Sequence, residues 1–216
     1  EILLLLDKFP GRTIVATDPA PEMLSLARAS LRARGAATAL ATAGRAESLS
    51  STVRQAAGVF SSFSLQLLPS PLAALEDWSR ALRLGGVISA VFWPKPLPVS
   101  PHGRLPAASE GVTGTSREDW EPEALGAAPH LGLALELDER VVRETAHASP
   151  EEYFDALVAS CALQTLLRKK GRAAVDACRK AWLEDHGLVR QGASWVEKAE
   201  ARLWVLRKTG EVAEDH

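Results

Sequence analysis

Arg12-Thr13-Ile14-Val15-Ala16-Thr17-Asp18-Pro19-Ala20-Pro21-Glu22-Met23-Leu24 is the stretch on which the fold turns. Its first half is β-branched and apolar without alternation, the pattern of a strand buried on both faces. The run ends sharply at Asp18. Pro21 and Glu22 then open a helix, with proline in the first turn and an acid at the positive end of the helix dipole. Leu24, Ala27 and Leu31 give that helix an apolar face, and Gly35 closes it. A buried strand that runs directly into an amphipathic helix is half of a βαβ unit.

The same alternation continues downstream. Thr38–Ala43 reads as an alanine-rich strand ending at Gly44-Arg45-Ala46-Glu47, and Gly58–Phe63 as another. Ser70-Pro71 caps a helix with the stripe Leu72, Leu75, Trp78 and Leu82. Gly85-Gly86 reads as a turn before the buried strand Val87–Trp93. Strands alternating with helices predict a doubly wound α/β fold with residues 13–17, 38–43, 58–63 and 87–93 as adjacent parallel strands. Upstream, Ile2–Leu6 could be a strand or a buried helix end on periodicity alone.

Residues 94–118 are rich in proline, glycine and serine and read as a loop or lid-like insertion. A short helix is expected near Trp120–Ala127 and a strand over Leu133–Val142. Ser149-Pro150-Glu151-Glu152 is a capping box opening a helix through about Arg168. A further helix covers about Arg172–His186, and Ala201–Arg207 reads as the last strand. Residues 1–216 are read as one domain, with 1–93 as a ligand-binding half and 94–216 as a substrate-side half.

Composition narrows the function. The chain has 216 residues, enough for one α/β domain, and a formal net charge of −2. Near-neutral charge with scattered arginines argues against nucleic acid as a partner. The densest basic group, Arg168–Arg172, falls between two helices and reads as a solvated helix end. Cys161 and Cys178 fall on apolar helical positions outside any CxxC pair, as small core residues in a reducing compartment would. No apolar run approaches the roughly 18–20 residues of a membrane span, and Ile2–Leu6 is too short for a signal peptide. A cytoplasmic location is the expectation. Glu1, not Met, opens the chain, so residue 1 is not expected to be the native start.

Doubly wound folds bind ligands at the carboxyl ends of their strands. Those ends hold Asp18, then Gly44–Glu47, then Ser64-Leu65-Gln66. A carboxylate after the second strand of such a fold can accept both ribose hydroxyls of an adenosine group. It can equally cap the helix that follows.

Ala16–Arg28 resembles the second motif of type 11 methyltransferases, the group that contains quinone-biosynthesis methyltransferases. Gly44-Arg45-Ala46-Glu47-Ser48-Leu49 resembles the third motif. Phe60–Pro69 resembles the segment after the fourth strand, and Arg80–Val87 resembles the family's Arg-x-Leu-x-Pro-Gly-Gly. The resemblance implies a class I, Rossmann-like fold, mostly parallel with an antiparallel last strand, and S-adenosyl-L-methionine as cofactor. It implies methyl transfer to a small-molecule or lipid-like acceptor. By position, Asp18 would bind the ribose, Pro19 and Met23 would pack near the adenine, and the Ala46 amide would face its ring nitrogens. Ser62 to Ser64 would line the floor where the methyl group is delivered, with Trp93 toward the substrate.

Three departures bear on competence. The glycine loop that the family places before a position such as Glu1 is absent, so Glu1–Phe9 is read as what remains of the first helix, with the first strand missing. Arg45 stands where the family has an acid accepting from the adenine amine, and arginine has no acceptor; as a cofactor-binding candidate it could stack on the ring instead, or it could turn outward. Ala57 stands where an acid often opens the fourth strand. Methyl transfer needs little acid–base machinery, because positioning and desolvation supply most of the rate. No catalytic residue is therefore assigned; His102, His130, His147, Glu47 and Tyr153 are the available bases. Two rival classes remain. A non-catalytic, truncated partner subunit would fit Arg45 and the absent loop. A nicotinamide-dependent oxidoreductase would want a Tyr-x-x-x-Lys pair, but Leu157 occupies the position four residues after Tyr153.

Overall fold

The structure is a computed structural model, and it describes residues 1–94, 120–158 and 161–212. The Pro-rich stretch from 95, including His102, lies outside the described residues, as does the side chain of Cys161.

The first element is a helix, α1 (Ile2–Lys8), as its reading as a helix remnant required. The deciding stretch folds as strand β1 (Ile14–Asp18) followed by helix α2 (Pro21–Arg34). Gly35 ends α2 at φ 65°, a left-handed turn that glycine takes without steric cost. Strand β2 (Ala39–Ala43) returns parallel to β1, with Asp18 opposite Ala43. A 3-10 turn, Ala46–Ser51, leads into strand β3 (Ala56–Ser62). Helix α3 (Pro71–Ala81) is capped by Ser70, whose hydroxyl accepts from the Ala73 N–H. Its apolar stripe lies under strand β4 (Leu82–Phe92), which pairs parallel to β3.

The second half comprises helix α4 (Trp120–Ala127), strand β5 (Leu133–His147), helices α5 (Pro150–Val158), α6 (Cys161–Lys170) and α7 (Arg172–Glu184), and strands β6 (Val189–Gln191) and β7 (Ser194–Lys208). β7 is antiparallel to β4 on one edge and to β5 on the other, which gives the order β3-β4-β7-β5. This is the α/β layout expected of a class I methyltransferase, with its last strand antiparallel.

Several boundaries differ from the sequence reading. The four parallel strands do not form one ladder: β1 and β2 make a pair of their own, hydrogen-bonded to neither β3 nor β4. Gly85-Gly86 is not a turn before the strand but an irregularity inside it. Register shifts between Ala56 opposite Leu82 and Gly58 opposite Val87. Gly85 adopts φ 75°, and a Cβ on Gly86 would meet the Arg83 and Ala56 carbonyl oxygens at 2.9 and 3.0 Å. The helix expected over 150–168 is two helices. The last strands are longer than their apolar cores suggest: the added length of β5 is mostly polar and exposed, and that of β7 interleaves buried Val196 and Glu197 with Lys198 and Glu200.

The apolar interior is in three parts. The largest joins α3, α4 and the β4–β7 sheet around Phe92, Trp120 and Trp204. A second lies within α5–α7 around Phe154, Leu163 and Trp182. The third is small, with Leu24, Leu31 and Ala41 between α2 and the β1–β2 pair. Cys178 is buried in the second, and burial pushes its thiol pKa up. Trp182 and Trp204 are fully enclosed, as core aromatics are expected to be.

Candidate functional site

Asp18 is the last residue of β1, at its carboxyl end. Its Oδ1 accepts from the Ala20 N–H at 2.7 Å, an Asx turn that leads the chain into α2. Both sequence readings of this residue are thus compatible in one geometry: one oxygen shapes the helix entry, and Oδ2 has no partner among the described residues. Pro19 and Met23 are exposed on the same entry, Met23 to 53%.

The next strand end lies beside it. Gly44 donates its N–H to the Asp18 carbonyl at 3.4 Å, and a Cβ there would reach Thr17 at 3.4 Å. The small residue lets the β2 end close onto the β1 end. Arg45 turns to solvent, with its guanidinium 3.0 Å from Glu47 and 66% of its side chain exposed. The guanidinium engages no other described residue, while the Arg45 carbonyl accepts from the Ser48 N–H. Ala46 begins the 3-10 turn, so its N–H has no partner within the turn, while its carbonyl accepts from Trp78 Nε1 at 2.7 Å. Asp77 of α3 accepts from the Ser50 N–H at 2.9 Å and from its hydroxyl. Two side chains of α3 therefore fix the position of this turn.

The third strand end is the most constrained. Phe63, directly after β3, adopts φ 49°, a region that bulky residues avoid. Its N–H donates to the Val91 carbonyl at 2.7 Å, and Gln66 Nε2 donates to its carbonyl at 2.8 Å. Ser61 and Ser64 share a hydrogen bond of 2.8 Å beneath it. The Phe63 ring stacks on Trp93 at the end of β4, with centroids 4.4 Å apart. Gln66 is buried, and its Oε1 has no hydrogen-bond partner among the described residues. The sequence reading placed Ser62 to Ser64, Gln66 and Trp93 here; it did not foresee the positive φ of Phe63, because backbone strain leaves no mark on a phenylalanine.

The available bases fare differently. Tyr153 is enclosed and donates to Glu197 at 2.6 Å; burial and that hydrogen bond push its pKa well above the ordinary tyrosine value, so it holds its proton. His147 lies edge-on to it at 4.7 Å, with a buried Nε2 that has no hydrogen-bond partner among the described residues. Glu47 is engaged by Arg45, and His130 is exposed. No described group is poised as a base at the strand ends. Among the described residues there is no cluster of metal-ligating side chains, and no helix is long and apolar enough to cross a membrane. A hollow of about 480 Å³ lined by Arg28, Arg32 and Leu40 sits at the amino end of β2, opposite the strand ends that carry the site.

The chain's likenesses follow the fold. The family described as "Methyltransferase domain" matches residues 2–86. The YcgJ protein from Bacillus subtilis superposes with a TM-score of 0.64 at 14% identity, covering 92% of this chain and 83% of that one. A protein of Bacillus halodurans assigned as a methyltransferase gives 0.62 at 15% identity, covering 92% and 84%. Geranyl diphosphate methyltransferase in complex with S-adenosylmethionine gives 0.55 at 12%, covering 96% and 73%. No curated protein matches the chain.

Proposed function

We infer, from the premise that this chain is a class I S-adenosylmethionine-dependent methyltransferase, that it transfers the cofactor's methyl group to a small-molecule or lipid-like acceptor. The observation that carries this is Asp18: a carboxylate at the carboxyl end of β1, with one oxygen committed to the chain and the other free for a ligand. The residues present fit an adenosine group. Asp18 offers an acceptor for ribose hydroxyls, Ala46 offers an N–H for a ring nitrogen, and Pro19 and Met23 offer apolar surface for the ring's face. Arg45, paired with Glu47, takes no part.

When bound, the cofactor supplies a methyl group activated by its sulfonium. The chain's own part is to orient and to dry the site. The 46–51 turn, fixed by Trp78 and Asp77, holds the adenine side. Ser62, Ser64 and the Phe63–Trp93 pair form the floor from which water is displaced. Tyr153, with its proton held, is excluded as a base. In this reading the chain is one domain, residues 1–93 serve the cofactor and the later elements serve the acceptor, and the enzyme works in the cytoplasm.

A second reading has one observation in its favour. Arg45 replaces the expected acid, and its charge is satisfied by Glu47, which suits a non-catalytic partner subunit. Calorimetry separates the two: titration with S-adenosylmethionine and S-adenosylhomocysteine is expected to give saturable heats, weakened by Asp18→Ala. Absence of any heat with both ligands favours the partner-subunit reading.

A further inference from the structure

We propose that Phe63 and Trp93 form the acceptor's seat, and that it is built for a planar aromatic acceptor, not for an acyl or isoprenoid chain. The proposal rests on the methyl-transfer reading above for the word acceptor. The ring pair itself is independent of it.

Strain is the starting point. A phenylalanine at φ 49° sits where glycine would fit better, and such outliers persist only where the surroundings over-determine them. Here three contacts hold it: the Phe63 N–H to Val91, Gln66 to the Phe63 carbonyl, and the ring on Trp93. Gln66 is only 5% exposed and leaves its Oε1 unpartnered, a further cost accepted to hold this one turn. Gln66 is thus a positioning residue for Phe63. What the turn displays is a pair of rings at an interplanar angle of 28°, neither of them fully buried.

Direction comes from the topology. Phe63 leans toward β4, away from the open edge of β3, because its stacking partner stands at the β4 end. β4 ends at Phe92, opposite Arg202 of β7. β7 runs the other way, so Ser194–Ala201 continue past the carboxyl end of β4. At roughly 3.3 Å per residue, these eight residues extend about 26 Å. The β5–β7 ribbon therefore runs on past the end of β4 that carries the rings, on the side where strand ends bind ligands. A ring face is flat and carries a quadrupole, so it discriminates a flat π-system from a flexible chain of equal carbon count.

The test uses three alcohols with the same number of carbons: 2-naphthol, 2-decalol and 1-decanol. Ligand-observed NMR titration of the whole chain, with and without S-adenosylhomocysteine, gives their dissociation constants. Area burial alone ranks decanol first. The proposal expects naphthol first, about fivefold or more tighter than decalol. Phe63→Gly should abolish that ratio while keeping the turn, since glycine takes this φ freely. Trp93→Leu should reduce the ratio, and Phe63→Tyr should retain it. Decanol or decalol binding as tightly as naphthol, or a naphthol preference indifferent to Phe63→Gly, overturns the proposal. If S-adenosylhomocysteine gives no heat while the naphthol preference depends on Phe63, the ring site stands and the methyl-transfer reading falls. Heat with S-adenosylhomocysteine but no naphthol preference leaves methyl transfer standing and overturns the ring site.

Discussion

At the scale of single residues, the two roles proposed for Asp18, helix entry and ribose binding, separate by experiment. Removing the carboxylate in Asp18→Ala should cost about 1.5–3 kcal/mol of S-adenosylhomocysteine binding, the range for hydrogen bonds to a charged group. That is roughly a ten- to hundredfold rise in Kd by calorimetry. Loss of the Asx turn to Ala20 should cost the fold about 1 kcal/mol in urea denaturation. Arg45→Ala is the control. Its guanidinium engages only Glu47 at the surface, so affinity should stay within about twofold; a tenfold loss would mean that Arg45 reaches the ligand. Tyr153 gives a second prediction. It is the only tyrosine in the chain, so tyrosinate absorbance reports it alone. Its pKa is raised by burial and by Glu197. Unfolded tyrosine ionises near about 10, so the native state binds its proton where the unfolded state has begun to lose it. The stabilisation is complete below pH ~10 and is lost as pH rises further. Absorbance should stay flat above pH ~10 until the protein unfolds; a reversible native titration near pH ~10 would contradict this. Tyr153→Phe should remove that alkaline loss, at a cost of about 1–3 kcal/mol at neutral pH for the Glu197 hydrogen bond.

At the scale of elements, Gly132 fixes how β5 begins. It adopts φ 66°, and a Cβ there would lie 2.3 Å from the Gly210 carbonyl oxygen, which is backbone and cannot rotate aside. Its own carbonyl accepts from the Thr209 and Gly210 N–H groups. Gly132→Ala combines strain with a clash and should destabilise by more than about 3 kcal/mol in thermal or urea unfolding. Gly86→Ala, with contacts near 2.9–3.0 Å and no positive φ, should cost less. The elements also mark what sequence could convey. β1 through β4 were legible from their continuous apolar, β-branched or alanine-rich runs, although of the four only β4 is largely buried, and α2 and α3 because proline and glycine punctuate them. The Gly85-Gly86 irregularity was not, since a glycine pair reads the same in a turn and inside a strand. The outer halves of β5 and β7 were hidden for another reason. Their residues Arg140, Glu144, Lys198 and Glu200 are held by cross-strand ladders and ion pairs, which depend on a partner far along the chain. For the site, Asp18, Ala46, the serines and Gln66 were legible by position, whereas the strain at Phe63 and the part Gln66 plays in holding it became visible only through a dihedral angle and a buried amide.

At the scale of the molecule, the division into β1–β2 and the β3-β4-β7-β5 sheet predicts uneven stability. The smaller unit has a core of only Leu24, Leu31 and Ala41, and each of its strands has a single hydrogen-bonded neighbour. The larger encloses Phe92, Trp120 and Trp204 and places β4 between two strands. Amide hydrogen exchange should therefore be faster at Val15–Thr17 and Leu40–Thr42 than at Ile88–Val91, the smaller unit opening below the global unfolding free energy. S-adenosylhomocysteine should slow exchange in the smaller unit if it bridges the strand ends of both. Equal protection in the two units would mean that they unfold together.

The overshooting ribbon has a consequence for descent and for engineering. The chain leaves the sheet along β5 at Arg140 and re-enters along β7 at Arg202, and these two residues face each other across the ladder. Everything between them, including a helical core of its own, is attached at a single narrow neck. Such a unit can be exchanged for another of different length without moving β4, Phe63 or Asp18. On the proposed function, acceptor preference could then diverge by transplantation while the strand ends around Asp18 and Phe63 are inherited unchanged.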